Sequence, residues 1–201
     1  MTDGRGAELA LNQALWAVMN ERFTDAAADD MWARDEVAWG LFAVPERVLG
    51  VLGEVDGLDV VELACGTAYF SAWLARAGAR TVAVDLSHEQ LVTAQRLQRR
   101  VGPSFPLVQA DAEQLPLTGG CYDLVVSEHG AAAWCDPERW LPEAARLLRP
   151  GGRLGPASTV RDDSVPGVKR LVRTVRQYDP EAMSAACFGS SRWRATPRAP
   201  P

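Results

Sequence analysis

Two carboxylates, each closing an apolar run and separated by a turn of small residues, are the groups in this chain best suited to chemistry. The first run, Val60-Val61-Glu62-Leu63, leads into Ala64-Cys65-Gly66-Thr67-Ala68. Small residues at 64, 66 and 68 allow a ligand to approach the backbone, and a helix starting there aims its first N–H groups at the same space. Nineteen residues after Gly66, the run Thr81-Val82-Ala83-Val84 ends in Asp85, followed by Leu86. An acid so placed can hold both ribose hydroxyls of a nucleoside cofactor; its structural alternative is a turn or N-cap role beside Ser87. A dinucleotide site, counted from Ala64, needs glycine at position 69, where Tyr69 stands and its bulk would obstruct a pyrophosphate. A nicotinamide-dependent oxidoreductase is therefore disfavoured.

Farther along, Tyr122-Asp123-Leu124-Val125-Val126-Ser127 ends beside Glu128 and His129, the candidates for a general base. Neither is assigned a catalytic role from sequence, since a single histidine after a strand is more often structural. Ser127 lacks the G-x-S-x-G setting of a nucleophile and would act through its backbone. Cys65, Cys121, Cys135 and Cys187 form no C-x-x-C pair, and His88 and His129 are the only histidines, so no metal site is expected. The cysteines read as small hydrophobes of a reducing compartment.

The run from Glu62 to Ala68 resembles motif I of the class I S-adenosylmethionine-dependent methyltransferases. Gln109-Ala110-Asp111-Ala112-Glu113-Gln114-Leu115-Pro116 resembles that family's adenine-reading segment, and the 122–127 run resembles its fourth strand and motif IV. Arg146-Leu147-Leu148-Arg149-Pro150-Gly151-Gly152-Arg153-Leu154 is similar to its turn into strand five. The resemblance covers roughly residues 40 to 154. It implies S-adenosylmethionine as cofactor, held by Glu62, Ala64, Cys65, Gly66, Asp85, Leu86, Asp111, Ala112 and Ser127. In that set Asp85 takes the ribose, Asp111 and the Ala112 N–H read adenine, and Glu62 either orients the methionine moiety or caps the nearby turn. Ala64 and Ala68 stand where the family has glycine. The Ala64 methyl either crowds the cofactor or is accommodated; if it crowds, Ala64→Gly is expected to tighten binding while costing stability through backbone entropy.

The positioning elements follow from local patterns. Residues 7–20 read as an amphipathic helix, Asp25 to Trp39 as a second, and Pro45 opens a third reaching about Leu52. Ser87-His88-Glu89-Gln90 is a capping box, and Asp136-Pro137 an N-cap and first-turn pair. Alternating strands and helices imply βαβ crossovers, a mostly parallel sheet with helices on both faces, and a Rossmann-like α/β core. The expected organisation is an N-terminal helical cap (1–52), a cofactor-binding core (53–154) and a basic C-terminal segment (155–201). Trp16, Phe23, Trp32, Trp39 and Phe42 in the cap read first as packing residues and second as a lid.

Gly155-Pro156 should cut the fifth strand short, leaving the C-terminal strands incomplete. Val165, Val168, Leu171, Val172 and Val175 fit one basic amphipathic helix, and the composition from Ser190 onward is that of a disordered tail. Charge changes sign at the same place: residues 1–155 carry 13 Arg and no Lys against 22 acids, residues 156–201 carry 8 basic residues against 4 acids. The Arg/Pro/Ala-rich end looks like the product of an out-of-frame GC-rich message. A catalytically defective, cofactor-binding remnant with a lost or frameshifted C-terminal part is therefore the second reading.

At 201 residues and 47% hydrophobic content the chain suits one sizeable core. The net charge of −5 disfavours nonspecific nucleic-acid binding, and the acidic N-terminus lacks the pattern of a signal peptide. A cytoplasmic enzyme with a small-molecule acceptor, no membrane span and an undetermined oligomeric state is expected.

Overall fold

The computed structural model describes residues 4–40, 43–157, 160–161 and 169–170. The chain begins with α1 (Gly4–Met19), a π-helical turn (Asn20–Thr24) and α2 (Asp25–Trp32). A short antiparallel pair, β1 (Ala38–Trp39) and β2 (Val44–Pro45), leads to α3 (Glu46–Leu49). The alternating part comprises β3 (Asp59–Leu63), α4 (Tyr69–Arg76), β4 (Arg80–Asp85), α5 (His88–Val101), β5 (Leu107–Gln109), β6 (Tyr122–Glu128), α6 (Ala131–Trp134), α7 (Pro137–Leu147) and β7 (Leu148–Ala157). A second antiparallel pair, β8 (Val160–Arg161) with β9 (Lys169–Arg170), is separate from the main sheet.

The main sheet is parallel throughout, in the order β5-β4-β3-β6-β7. From β3 the chain winds outward through β4 to β5, then returns to the other side of β3 for β6. That reversal leaves a crevice at the carboxyl ends of β3 and β6, the place where open α/β sheets bind ligands. Both faces are covered, so the strands read as near-continuous apolar runs. Val61, Leu63, Val84 and Val125 pack with Trp140, Ala144 and Leu147 of α7. Val60, Leu124 and Val126 pack on the opposite face with Phe70 and Leu74 of α4 and with Trp39.

Helix starts follow the expected chemistry. The Ser87 side chain accepts from the Gln90 N–H, and Asp136 accepts from the Glu138 N–H with Pro137 in the first turn. The second helix stops at Trp32, seven residues before its expected end. The carbonyls of Arg34 and Asp35 accept from Arg76 and from Trp73 Nε1 of α4, fixing the chain in a non-helical path. The third helix is one turn, ended by Gly50 at φ +59. At its first residue, buried Glu46 accepts from Trp39 Nε1 (2.5 Å) and from the Leu52 N–H (2.6 Å) of the loop that follows.

The fifth strand of the sheet, β7, does not stop at Leu154. It pairs with β6 through Gly155, Pro156 and Ala157, opposite Val126, Ser127 and Glu128. Proline is accommodated because β7 is a sheet edge among the described residues. Gly155 leaves room for contact with Val126 and Val51. Of the helix expected over 165–175, residues 169–170 are strand and the rest lie outside the described residues, as does the tail from Ser190.

Candidate functional site

A cavity of about 330 Å³ opens above the carboxyl ends of β3, β4 and β6 and beneath α1. Its floor is the turn after β3. Ala64, Gly66 and Ala68 all have left-handed backbone, at φ +53, +56 and +57. Two of these are alanines in a conformation that favours glycine, a strain of about 1–2 kcal/mol per residue. The turn is anchored from three sides. The Cys65 N–H donates to the Val84 carbonyl (2.9 Å), the Gly66 N–H to Asp85 Oδ2 (2.7 Å), and Trp32 Nε1 to the Thr67 carbonyl (2.8 Å).

Asp85 ends β4 and lines the cavity, 8% exposed. Its second oxygen, Oδ1, accepts from the Ser87 N–H (2.8 Å), so the acid both braces the turn and faces the ligand space. Burial pushes its carboxyl above the usual range, against the pull of the Ser87 and Gly66 N–H groups. The Leu86 N–H acts in the same sense, so of the roughly four acceptor sites of a carboxylate about one remains for a hydroxyl donor. Leu86, Ala112, Cys65, Ala64 and Gly66 also line the cavity. Burial raises the Cys65 thiol well above its ordinary value, which fits a packing role.

Two residues of the expected set are placed elsewhere. Glu62 is 3% exposed and is not among the lining residues; Oε2 accepts from the Ser71 N–H (2.9 Å) and Oγ (2.5 Å) in the first turn of α4. Burial pushes its carboxyl up to about 8. The capping alternative thus describes its contacts. Ser127 is fully buried within β6, paired opposite Pro156, and does not line the cavity.

Asp111 follows β5 and lines the cavity with both oxygens engaged. Oδ1 accepts from the Glu113 N–H (2.9 Å) and Oδ2 from Arg5 Nη2 (2.5 Å). Arg5 also reaches Glu113 at 3.5 Å. Nothing in the local pattern of α1 marks Arg5; only its position over the cavity does. Across the mouth, Trp16 of α1 meets Trp134 of α6 edge-to-face at 5.1 Å, whereas Trp32 and Trp39 are buried packing residues. Trp32 and Trp39 thus follow the packing reading, and Trp16 stands at the mouth. Phe42 lies outside the described residues.

The remaining wall is formed by Glu128, His129 and Gly130, with Tyr69 and Gln90. Glu128 Oε1 accepts from the Gly40 N–H (2.9 Å) and lies 3.3 Å from His129 Nε2. His129 has φ +49. Gly130 packs so closely on the motif turn that a Cβ there would lie 2.4 Å from the Ala64 carbonyl oxygen and 2.7 Å from that of Leu63. Gly130 was missed in the sequence because this close approach is tertiary. Among the described residues no group of three or more His, Cys, Asp or Glu is placed to hold a metal ion, and no helix is long and apolar enough to cross a membrane.

Residues 61–155 match the methyltransferase domain family. The chain is 34% identical over 150 residues to malonyl-[acyl-carrier protein] O-methyltransferase of Pectobacterium atrosepticum, covering 71% of this chain and 57% of that protein. It is 36% identical over 122 residues to an uncharacterized methyltransferase of Mycobacterium tuberculosis, covering 60% and 48%. The chain thus spans about half the length of the curated relatives it matches. The fold is similar to phosphoethanolamine N-methyltransferase 1 of Haemonchus contortus, solved with phosphoethanolamine and S-adenosylhomocysteine (TM-score 0.61, 19% identity, 86% of this chain and 37% of that one). It is also similar to a methyltransferase of Aquifex aeolicus (TM-score 0.52, 20% identity, 60% and 68%).

Proposed function

The chain belongs to the class I S-adenosylmethionine-dependent methyltransferases, and from that premise we propose that it binds S-adenosylmethionine in the cavity over β3, β4 and β6 and transfers the methyl group to a small-molecule acceptor. The observation that carries this reading is the left-handed turn at 64–68 held by Asp85 at a cavity of about 330 Å³. That volume is in the range of small-ligand sites. The lining suits a nucleoside: Asp85 with an acceptor site left for a ribose hydroxyl, and Asp111 and Ala112 where an adenine edge would lie.

When bound, the cofactor would supply a methyl group on a sulfonium, an already activated donor. The chain's task is then largely positioning and exclusion of water. Trp32 and Asp85 fix the turn that would meet the ligand. Trp16, Trp134 and Leu9 offer an apolar wall at the mouth, suited to an acceptor with an apolar body. Five carboxylates line the cavity, Glu8, Asp85, Asp111, Glu113 and Glu128, and they favour a cationic donor over an anionic one. Residues 1–52 would form the cap over this site, with Arg5 as its contact to the adenine side.

A thermal-shift series tests the binding step. S-adenosylmethionine and S-adenosylhomocysteine should each raise the Tm, whereas NAD should not. A shift with NAD alone would overturn the reading. Release of S-adenosylhomocysteine on adding an acceptor panel separates a working enzyme from a binding remnant.

A further inference from the structure

Resting on the methyl-transfer reading above, we propose that Gln90 is a specificity-determining residue of the site: Asp85 holds one hydroxyl of the ligand's ribose, and the side-chain amide of Gln90 holds the other. The starting point is a shortage at Asp85. The N–H groups of Gly66, Ser87 and Leu86 already engage its carboxylate, which leaves about one acceptor site. A ribose presents two adjacent hydroxyls, so the second needs a partner of its own. Gln90, in the first turn of α5, lines the same cavity and meets the same turn. A Cβ on Gly66 would lie 3.6 Å from Gln90 Oε1, while the Gly66 N–H donates to Asp85 Oδ2 at 2.7 Å. The two side chains thus flank one residue of the cavity floor.

The local sequence gives Gln90 a different task, and the fold removes it. In a capping box the glutamine three residues after the N-cap reaches back to the N-cap N–H. Here the Ser87 side chain accepts from the Gln90 N–H, but the Ser87 N–H donates to Asp85 Oδ1 (2.8 Å). The reciprocal half of the box is therefore not made, and the Gln90 side chain turns to the cavity. The π-helical turn then fixes it. Asn20 Nδ2 donates to the Glu89 carbonyl (3.3 Å) and to Thr93 Oγ1 (3.1 Å) of α5. The Thr24 hydroxyl, shared between Asn20 Oδ1 (2.9 Å) and Gln90 Oε1 (3.3 Å), holds the carbonyl end of the amide. Gln90 is 2% exposed, yet its Nε2 has no hydrogen-bond partner among the described residues. Burying amide N–H groups without an acceptor is costly, and an apolar side chain of like size would serve packing better. A ribose hydroxyl supplies the missing acceptor, since its oxygen can accept from Nε2 while keeping its own proton to donate.

The test uses the full chain and titration calorimetry with S-adenosylhomocysteine and its 2′-deoxy and 3′-deoxy analogues. The wild type should bind each analogue several-fold more weakly than the parent, because each lacks one recognised hydroxyl. Gln90→Met keeps the length and helix propensity of glutamine and removes the amide. It should bind S-adenosylhomocysteine about 3- to 10-fold more weakly, the scale of one neutral hydrogen bond. On one analogue, the one lacking the hydroxyl that Gln90 holds, that loss should shrink to within about twofold, because the interaction is already absent. Asp85→Asn should show the opposite preference, with its smaller loss on the other analogue. A packing role for Gln90 would weaken all three ligands equally, and that result overturns the inference. So does an unchanged affinity of Gln90→Met for S-adenosylhomocysteine, or a loss that shrinks on the same analogue in both variants. A wild-type chain that binds either analogue as tightly as the parent also overturns it, a comparison that needs no variant to fold. Failure of the wild type to bind S-adenosylhomocysteine at all would overturn the methyl-transfer reading itself, which every other outcome leaves in place.

Discussion

Arg5 and Asp111, 106 positions apart, are joined by a hydrogen-bonded ion pair of 2.5 Å that ties the first turn of α1 to the loop after β5. The pair spans the cavity, with side-chain exposures of 27% and 16%. It engages one oxygen of the acid proposed to read adenine, so α1 and the cofactor would share a carboxylate. Arg5→Ala should accelerate hydrogen exchange over residues 4–19 and raise the cofactor dissociation rate several-fold. A partly exposed pair contributes only about 1 kcal/mol or less, so the fold should survive. Unchanged exchange in α1 would show that the helix is held by its other contacts alone.

The turn after β3 yields a prediction opposite to the one drawn from sequence. Glycine at 64 was expected to cost stability through backbone entropy. At φ +53, however, alanine carries about 1–2 kcal/mol of left-handed strain, more than the roughly 0.4–1 kcal/mol that glycine loses through the unfolded chain. Ala64→Gly should therefore raise the Tm by about 2 °C, using the usual scaling for a chain of this size. Calorimetry that finds a lower Tm would contradict the strain argument.

Gly130 should be far less replaceable. A methyl at that position would meet the Ala64 and Leu63 carbonyl oxygens, backbone atoms that cannot swing aside. Gly130→Ala should destabilise by about 1–3 kcal/mol, the range for overpacking. Denaturant unfolding measures it, and a loss below about 0.5 kcal/mol would mean the wall and the turn are not rigidly apposed.

Glu62 predicts a dependence on pH. Burial raises its folded-state carboxyl to about 8, far above the ordinary value of 4.5. Between these two values the folded chain holds a proton that the unfolded chain releases. Its contribution is therefore fully present below about pH 4.5 and is lost as pH rises through about 8. Glu62→Gln, isosteric with the protonated acid, should remove this loss. The stability gap between variant and wild type should grow in the variant's favour from pH 5 to pH 8, by an amount on the order of a few kcal/mol. A gap that does not vary with pH would contradict a protonated Glu62.

The core was legible because its signals are local. Apolar runs of strand length, the Ser87 and Asp136 caps and the small residues at 64–68 each impose their geometry within a few positions. Asp85 was readable for the same reason. What escaped depends on distant partners. Arg34 and Asp35 end α2 because Arg76 and Trp73 take their carbonyls. Glu62 turns to Ser71 and away from the cavity, and β7 runs past Gly155-Pro156 because β6 offers it a continuous partner. Arg5 and Gly130 carry no local pattern and gain meaning only from what they touch.

The central claim is that the cavity braced by Asp85 holds an S-adenosyl group, and titration calorimetry with S-adenosylhomocysteine tests it directly. The wild-type chain should bind one equivalent. Asp85→Ala should weaken that binding by about 10- to 100-fold, since hydrogen bonds to a charged group contribute roughly 1.5–3 kcal/mol each. Asp85→Asn keeps one acceptor oxygen for the turn and should separate ligand binding from stability by retaining the fold with a smaller affinity loss. No binding by the wild-type chain, or an unchanged dissociation constant in a folded Asp85→Ala variant, would contradict the account.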